Sequence, residues 1–278
     1  MEKPRQELRV LIPSSVTSEL GDKKIKTVKL GHIARSLSIF RVQNVTVYRT
    51  KRDSELDFIK KVLQYAETPP YLKKKLFGLS DDLRYVGVIP PLQTPHHNVT
   101  KEISEGEYRE GMVVDTDLED QVGSDYCARA YIGLDEPALL AKCGNISENK
   151  RITVRTVSCG DQVVVKRTSK DEVPYYWGYE TKVSNHLDNE LIRLKEKGWR
   201  IVSTSVYGEI VDKNSLEDHL SKKTAIIFGS PNKGVREYLE DPSIVDEEIN
   251  TVPNQGTETV RTEEAIQSTL SIFNLVRK

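Results

Sequence analysis

The sequence predicts an α/β protein whose parallel sheet, flanked by helices, is interrupted by a small OB-like β-barrel. Apolar strand-type runs alternate with helix-type repeats up to residue 91, and the alternation resumes at about Val183. In between, the helix-type repeat disappears and short strand-type runs lie between clusters of Gly, Asp and Asn. Alternating strands and helices are typical of a parallel sheet, and short, closely spaced strands are typical of a barrel. We therefore expect a discontinuous α/β domain, residues 1–91 plus 170–278, and an insertion at 92–169.

The N-terminal part alternates strand and helix. Ile33, Leu37 and Phe40 repeat at helical spacing, and Ser54 is placed to cap a second helix. The Pro-Pro pair at 69–70 ends that helix. We expect strands at 8–12, 44–49 and 83–89, and helices at 31–40, 56–66 and 71–77.

The insertion carries four or five short strands within about eighty residues, which fits an OB-like barrel. The strands are expected at 112–115, 126–131, 152–157 and 162–167. Charge is polarised along this segment: 98–141 carries three basic and eleven acidic residues, whereas 142–170 carries seven basic and two acidic ones. OB-folds bind nucleic-acid strands across one sheet face, so the basic part is expected to accept RNA.

The C-terminal part returns to strands and helices. Leu187, Leu191 and Leu194 predict a helix that Gly198 ends. Thr262 is placed to cap the closing helix, and the acids that follow it suit the helix dipole. We further expect strands at 200–205 and 224–229 and a short helix at 215–220.

Two glycine-bearing loops follow strand-type runs near the end of the chain. The first loop, 230–234, follows the run 224–229, and the second, 254–261, follows the run 249–253 and precedes the closing helix. Glycines just past strand ends let backbone N–H and C=O groups face a ligand directly. Two such loops in one sheet predict a small-molecule pocket.

The common nucleotide motifs do not fit these loops. Gly229 and Gly234 have the spacing of a phosphate-binding P-loop, but Val235 and Arg236 stand where Lys and a hydroxyl residue are required. The dinucleotide fingerprint Gly-x-Gly-x-x-Gly is absent from the sequence as well. ATP, GTP and NAD are therefore poor candidates for the ligand.

The near-neutral net charge of −1 conceals a basic N-terminal stretch. From Asp22 to Arg52 there are nine lysines or arginines and one acid, which indicates either an RNA phosphate footprint or a solvated helix face. The candidate RNA contacts in this stretch are Lys23, Lys24, Lys26 and Lys29. Those in the insertion are Lys150, Arg151, Arg155, Lys166 and Arg167.

Metal sites, disulfides and membrane spans are not expected. The cysteines at 127, 143 and 159 are an odd number without nearby histidines, so we interpret them as buried free thiols. His96 and His97 are neighbours, and neighbouring side chains of an extended chain point apart. The apolar runs are too short to span a membrane and no secretory signal is visible, so a cytoplasmic protein is expected.

Three segments together resemble the SPOUT class of S-adenosylmethionine-dependent RNA methyltransferases. Residues 228–234 resemble the first cofactor loop of that class, and 251–256 followed by 262–266 resemble its second loop and closing helix. Residues 31–40 resemble the motif that carries the catalytic arginine of the ribose-methylating branch. That branch has Asn two residues before the motif's glycine, whereas this chain has Lys29.

The resemblance is closer to an archaeal and eukaryotic RNA methyltransferase group with a β-rich insertion. The residues that carry it are 84–91, 94–97 and 254–264. It implies a trefoil-knotted sheet, S-adenosylmethionine as cofactor and a homodimer acting on structured RNA such as rRNA or tRNA. The cofactor contacts that it implies are Thr204, Ser205, Phe228, Gly229, Ser230, Asn250, Thr251, Val252, Gln255, Gly256 and Thr262.

Arg35 is the candidate catalytic residue that the resemblance implies, with Arg261 and Glu264 as weaker alternatives. A guanidinium cannot act as a base, but it can stabilise a developing anion or position a phosphate. The methylated atom is expected to be a base nitrogen, such as uridine N3, or a ribose 2′-hydroxyl.

Two other function classes remain open from the residues alone. A non-catalytic RNA-binding protein that has kept the SPOUT fold would also explain the basic stretch and the barrel. A small-molecule binder without RNA would leave the basic stretch unexplained. The aromatic run 175–179 is interpreted as a packed hinge or as a base-stacking surface.

Overall fold

The computed structural model describes residues 2–50, 55–118, 126–142, 144–212 and 215–277. The chain divides into two compact units. The sheet unit comprises Lys3–Glu67, Ser80–Leu92 and Gly178–Lys278, and the barrel unit comprises Met1–Glu2, Thr68–Leu79 and Gln93–Trp177. The barrel unit thus includes 68–79 and 170–177 in addition to 93–169.

The strands and helices are named here in chain order. The strands are β1 Glu7–Pro13, β2 Asn44–Tyr48, β3 Tyr108–Asp115, β4 Tyr126–Tyr131, β5 Ala138–Ala141, β6 Arg151–Cys159, β7 Val163–Thr168, β8 Glu180–Ser184, β9 Arg200–Ile210, β10 Lys223–Ile227 and β11 Glu247–Asn250. The helices are α1 Lys23–Ile39, α2 Leu56–Glu67, α3 Pro70–Leu76, α4 Leu187–Glu196 and α5 Thr262–Asn274.

The sheet unit is built on six parallel strands in the order β11-β9-β10-β1-β2-β8. Successive residues of β1 face opposite sides of this sheet. Val10 packs in a core with α1, α2 and α5, whereas Leu11 packs in a second core with α4. Burial on both faces is the normal state of a parallel strand. The predicted parallel sheet with flanking helices is confirmed.

Local sequence signals explain where the helices of this unit begin and end. The carboxylate of Asp22 accepts hydrogen bonds from the N–H groups of Lys24 and Ile25, so α1 begins eight residues before the predicted start. Gly198 follows α4 with φ +75, the left-handed conformation that glycine adopts most easily after a helix. The predicted cap of α2, Ser54, lies outside the described residues.

Two predictions for the sheet unit are wrong, and one of its strands was not predicted. The expected strand 83–89 is instead a pair of 3-10 turns, because Leu83, Val86 and Ile89 repeat every three residues and pack on the core. The position beside β2 is taken by β8, which was not predicted. The expected short helix at 215–220 consists of turns.

The barrel unit contains a closed barrel with strand order β3-β4-β5-β7-β6. Its neighbours are antiparallel except for β5 and β7, which pair in parallel. The interior is filled by small and β-branched side chains such as Ala130, Val154 and Val165. The predicted barrel is confirmed. Strand β5 escaped prediction because its sequence, Ala-Leu-Leu-Ala, favours a helix locally.

A buried carboxylate organises the barrel unit. Glu110 is 1% exposed and accepts hydrogen bonds from Arg151 Nε, Thr153 Oγ1 and Trp177 Nε1, each at 2.6 Å. A buried carboxylate requires such partners, so Arg151 and Trp177 stabilise the unit. Tyr176 and Tyr179 are also buried, and these aromatic residues are therefore packed rather than presented to solvent.

The cysteines differ from the expectation. Cys127 is disulfide-bonded, so the prediction of three free thiols is wrong at this position. Cys159 is a free, half-buried thiol in β6. Cys143 lies outside the described residues.

Arg277 links the end of the described chain to its beginning. The side chain is 5% exposed, and its guanidinium donates to the carbonyl of Gln6 at 2.8 Å and to that of Phe40 at 2.6 Å. It also donates to the carbonyl of Arg41 at 3.1 Å. Residues beyond α5 thereby stabilise the segments that enter β1 and leave α1.

Candidate active site

A cavity of about 640 Å³ lies at the carboxyl ends of β9, β10 and β11. These strands are parallel neighbours, so the segments that follow them meet at the same edge of the sheet. The cavity lining comprises 204–207, 228–237, 248–252, 255, 258–260, 262 and 265. Both predicted glycine loops contribute to this one cavity.

Most of the predicted cofactor residues come together there. Those that line the cavity are Thr204, Ser205, Phe228, Gly229, Ser230, Asn250, Thr251, Val252, Gln255 and Thr262. Gly256 does not line it, and a Cβ added at Gly256 would meet nothing within 4 Å. Further lining residues, which were not predicted, are Val206, Tyr207, Lys233, Arg236, Glu237, Glu248, Glu258, Thr259, Val260 and Ala265. Each lies next to a predicted loop or strand end in sequence, and this was the only signal that could have identified it.

An irregularity in β9 shapes one wall of the cavity. Strand β11 pairs Glu248 with Ser203 and then Ile249 with Glu209, so residues 204–208 of β9 form a wide bulge. At Gly208 an added Cβ would lie 2.7 Å from the backbone nitrogen of Ile249, which leaves no room for a side chain. The bulge places residues 204–207 in the lining, and β9 therefore extends beyond its predicted end at Ser205.

The loop after β10 is a tight turn that requires glycine at its start. The N–H of Ser230 donates to the carbonyl of Lys233 at 2.9 Å, and the N–H of Lys233 donates to Ser230 Oγ at 3.0 Å. A Cβ at Gly229 would lie 2.7 Å from the Lys233 carbonyl oxygen. The turn therefore needs this glycine for close backbone approach.

Hydrogen bonds join the second loop to the rest of the site. Asn250 Nδ2 donates to the carbonyl of Val206 at 2.9 Å, which connects β11 to the bulge of β9. The hydroxyls of Thr251 and Thr269 are 2.8 Å apart in a buried hydrogen bond to α5. Thr262 Oγ1 donates to the carbonyl of Gly229 at 3.2 Å. The loops are thus fixed to one another by contacts within the chain.

The expected cap of α5 is displaced by one residue. Arg261 occupies the N-cap position, and its backbone N–H donates to Glu264 Oε2 at 2.9 Å. Thr262 is the first helical residue, so its predicted capping role is wrong. Its hydroxyl serves the contact with Gly229 instead.

The candidate catalytic residues do not line the cavity. Arg35 lies on α1 and donates to the carbonyls of Pro91 at 3.1 Å and Leu92 at 2.8 Å. Arg261 and Glu264 lie at the start of α5, outside the lining. The structure therefore brings together the predicted cofactor contacts but not the predicted catalytic groups.

The basic stretch around α1 is largely paired with acids. Lys23 Nζ lies 2.6 Å from Asp81 and 3.1 Å from Asp82, and Lys26 Nζ lies 2.6 Å from Glu55. Lys24 is exposed. Three of the four lysines predicted to bind RNA thus have acidic partners within the chain, and the fourth is Lys24.

Lys29 is the most enclosed of these four side chains. It is 4% exposed and forms ion pairs with Glu19 and with Glu263, the latter at 2.9 Å. The pair with Glu263 joins α1 to α5. Lys29 is therefore placed to hold two helices together.

Basic residues of the barrel form a more open group. Arg155 of β6 and Lys166 of β7 are directly opposite each other, and both are exposed. The Arg155 guanidinium lies 5.6 Å from the centre of the Tyr108 ring, within cation–π range. Lys150 and Arg167 are exposed as well. Arg151, in contrast, is bound to Glu110.

The sequence from 7 to 273 matches the family described as "Putative RNA methyltransferase". That match covers most of the chain. The chain belongs to this RNA methyltransferase family. The assignment confirms the predicted enzyme class, methyl transfer to RNA.

Two relatives and one solved structure illustrate the similarity. An uncharacterized protein of Halobacterium salinarum is 33% identical over 96% of this chain and 98% of its own length. The 28S rRNA (uridine-N(3))-methyltransferase of Homo sapiens is 28% identical over 95% of this chain and 77% of its own length. The SpoU methyltransferase AviRb of Streptomyces viridochromogenes, solved with AdoMet, gives a TM-score of 0.40 at 8% identity, over 99% of this chain and 58% of that one.

Neither a metal-binding cluster nor a membrane-spanning helix is found among the described residues. Within 2–50, 55–118, 126–142, 144–212 and 215–277, no group of three or more His, Cys, Asp or Glu side chains is arranged to hold a metal ion. Over the same ranges, no helix combines the length and apolar character needed to cross a membrane.

Proposed function

We propose that this RNA methyltransferase transfers a methyl group from S-adenosylmethionine to the N3 atom of a uridine in ribosomal RNA. The observation that carries the proposal is the convergence of ten predicted cofactor residues on one cavity. Its volume of about 640 Å³ lies within the range of small-molecule and cofactor sites, roughly 300–1,000 Å³. The uridine N3 assignment is supported by the human relative, whose name specifies that atom.

The lining fits the proposed cofactor. At Gly229 and Gly208 the backbone lies so close to neighbouring backbone that no side chain fits. The turn that begins at Gly229 and the bulge of β9 that contains Gly208 both border the cavity. Hydroxyl and amide side chains such as Thr204, Ser230 and Asn250 add hydrogen-bonding groups for a polar ligand. When bound, S-adenosylmethionine would supply a methyl group on a sulfonium.

The task left to the chain is to position the uracil ring and to favour loss of its N3 proton. We propose that Arg35 does this through its positive charge, since a guanidinium stabilises a developing anion. A ribose 2′-hydroxyl target is less well supported, because Lys29, where the ribose-methylating branch has Asn, is engaged with Glu19 and Glu263.

RNA phosphates are proposed to bind the open basic group of the barrel and the exposed Lys24. Lys150, Arg155, Lys166 and Arg167 are all exposed, whereas Lys29 and Arg151 are committed to internal ion pairs. The strand order β3-β4-β5-β7-β6, with β5 and β7 parallel, supports an OB-like barrel. Lys23 and Lys26 are also proposed as RNA contacts. Each would have to break its ion pairs with acidic side chains before it could bind a phosphate.

A homodimer and a trefoil knot are part of the same proposal. Leu275 is 80% exposed just after α5, which supports an interface there. The chain leaving β10 must pass β9 to reach β11, and such a crossing is compatible with a knot. We expect light scattering to give twice the 31.6 kDa mass of one chain, and a monomer at micromolar concentration would refute the dimer. A cytoplasmic location is also proposed.

The function is tested by incubating the full chain with labelled S-adenosylmethionine and unmodified ribosomal RNA fragments, followed by nucleoside mass spectrometry. We expect 3-methyluridine, and titration calorimetry should give a Kd for S-adenosylhomocysteine near or below about 1 μM. A folded protein that binds RNA but not S-adenosylhomocysteine would be a non-catalytic RNA binder. Formation of 2′-O-methylated nucleoside would refute the N3 assignment.

A further inference from the structure

Arg236 and Glu248 form an ion pair within the cavity lining. Arg236 lies in the 3-10 turn Val235–Tyr238 after the first glycine loop, and Glu248 lies in β11 beside the bulge of β9. The Arg236 Nε atom is 2.6 Å from Glu248 Oε2. The Glu248 side chain is 14% exposed and that of Arg236 is 70% exposed, so the carboxylate is recessed and the guanidinium is open.

The ion pair uses only part of the hydrogen-bonding capacity of these two lining residues. A guanidinium has five N–H donors, and the contact with Glu248 engages the one on Nε. A carboxylate has two oxygens, and this contact engages Oε2. The remaining donors of Arg236 and the Oε1 acceptor of Glu248 therefore lie next to each other in the lining.

Adjacent donors and acceptors of opposite charge match a zwitterion. An α-amino acid group presents a carboxylate, which pairs bidentately with a guanidinium, and an ammonium, which pairs with a carboxylate. A ligand end of that kind would satisfy both side chains without leaving a net charge in the site. A neutral ligand end would offer these side chains only the weaker hydrogen bonds of uncharged groups.

We propose that Arg236 and Glu248 together bind the amino-acid end of the methyl donor. The ligand carboxylate would bind the Nη groups of Arg236, and the ligand ammonium would bind Glu248 Oε1. The inference rests on the proposed function, because it assumes that the cavity binds S-adenosylmethionine. It identifies which part of that molecule lies at the junction of the first loop and β11.

A second ion pair in the lining is less suited to this role. Lys233 Nζ lies 3.6 Å from Glu237 Oε2, and both side chains are about half exposed, at 48% and 53%. Glu237 Oε1 already accepts the backbone N–H of Gly234 at 3.1 Å. Lysine also lacks the planar fork that binds a carboxylate bidentately. The matched control is an ion pair outside the lining: Lys195 Nζ of α4 lies 2.9 Å from Asp246 Oδ1, and both side chains are 36% exposed.

The test compares two ligands that differ in the amino-acid end. S-Adenosylhomocysteine carries the α-amino acid group, and 5′-methylthioadenosine carries the same nucleoside without it. Titration calorimetry would measure both affinities for the wild-type chain and for the variants Arg236→Gln, Glu248→Gln and Lys195→Gln. We expect the first two variants to weaken S-adenosylhomocysteine binding tenfold or more while changing 5′-methylthioadenosine binding less than twofold. Lys195→Gln should change neither affinity more than twofold.

The outcomes separate this inference from the proposed function. Wild-type binding of S-adenosylhomocysteine with equal losses for both ligands in Arg236→Gln, or with no loss, would overturn the inference and leave the function standing. A folded wild type that binds neither ligand would overturn both. If Arg236→Gln unfolds, Arg236→Lys provides the readout: a selective loss of S-adenosylhomocysteine affinity supports the inference, and unchanged selectivity refutes it.

Discussion

The hydroxyl of Thr262, the first residue of α5, donates to the carbonyl of Gly229 at 3.2 Å. This bond joins the start of the closing helix to the start of the first glycine loop, although the two residues are 33 positions apart in sequence. The two loops that line the cavity are therefore held at a fixed separation by a side chain that also lines it.

Thr262→Val removes this donor and should loosen the loop. We expect a loss of about 1 kcal/mol in the free energy of unfolding, typical for one hydrogen bond, and weaker binding of S-adenosylhomocysteine. Urea denaturation and titration calorimetry measure the two effects. Thr262→Ser keeps the hydroxyl and should retain most of both properties. Equal behaviour of the Val and Ser variants would show that the bond contributes nothing.

Gly229→Ala should damage the site far more than Gly256→Ala. The added methyl group at 229 would lie 2.7 Å from the Lys233 carbonyl oxygen, whereas at 256 it would meet nothing within 4 Å. We expect Gly229→Ala to abolish measurable heat of S-adenosylhomocysteine binding and to cost about 1–3 kcal/mol of stability. The Gly256 variant should bind within about threefold of wild type. Similar affinities in both variants would contradict this assignment of the glycines.

Lys29→Gln should act on stability, whereas Lys24→Gln should act on RNA. Breaking the enclosed pairs of Lys29 leaves Glu19 and Glu263 without their partner, which we expect to cost about 2–4 kcal/mol in urea denaturation. Lys24 is exposed, so its removal should leave stability unchanged and reduce the salt dependence of RNA binding. A Lys29 variant of normal stability that has lost RNA affinity would reverse the two roles.

Arg35→Gln should reduce methyl transfer without reducing cofactor affinity. The residue lies outside the cavity lining, but its charge is the proposed stabiliser of the target base. Loss of its bonds to the carbonyls of Pro91 and Leu92 should also cost about 1–3 kcal/mol of stability. Single-turnover kinetics at saturating cofactor measure the transfer step, with Arg35→Lys as the charge-conserving control. If transfer falls only as far as the folded fraction falls, Arg35 has a structural role.

Acid should weaken the sheet unit through Asp82. Side-chain hydrogen bonds from Lys61 and Lys23 hold the pKa of this carboxyl below its ordinary value of 3.8. Because the folded-state pKa is depressed, the carboxylate stabilises the fold above the unfolded pKa, and this stabilisation is lost as pH falls through the folded pKa. As the pH is lowered below about 4, the urea midpoint should therefore decrease less steeply for Asp82→Asn than for wild type. Parallel curves would show that the contacts contribute no stability.

Much of the sheet unit follows from local periodicity in the sequence. The apolar run around Val10 and the helical spacing of Leu187, Leu191 and Leu194 already indicate which residues are buried. Strand β1 and helix α4 are therefore found where they were predicted. In contrast, the apolar residues Leu83, Val86 and Ile89 were read as part of a strand. Their packing on the core selects 3-10 turns instead. Strand β8 depends on pairing with β2, which no local pattern records.

The cavity was predictable in its loops but not in its charged residues. Gly229 follows an apolar run in a way that indicates close backbone approach, and the structure shows that approach. Arg236 and Glu248 each lie beside a predicted loop, but they are 12 residues apart in sequence and meet only because β10 and β11 both pair with β9. The enclosure of Lys29 was equally invisible, since its partner Glu263 is more than two hundred residues away in sequence.

The hydrogen bonds that Arg277 donates have a consequence for synthesis of the chain on the ribosome. A ribosome releases the chain from its first residue onward, so Gln6 and Phe40 emerge long before the guanidinium that binds their carbonyls. Until Arg277 has emerged as well, the carbonyls of Gln6 and Phe40 must bind water or other donors. Closure of this part of the sheet unit therefore waits for Arg277, however early β1 and α1 form.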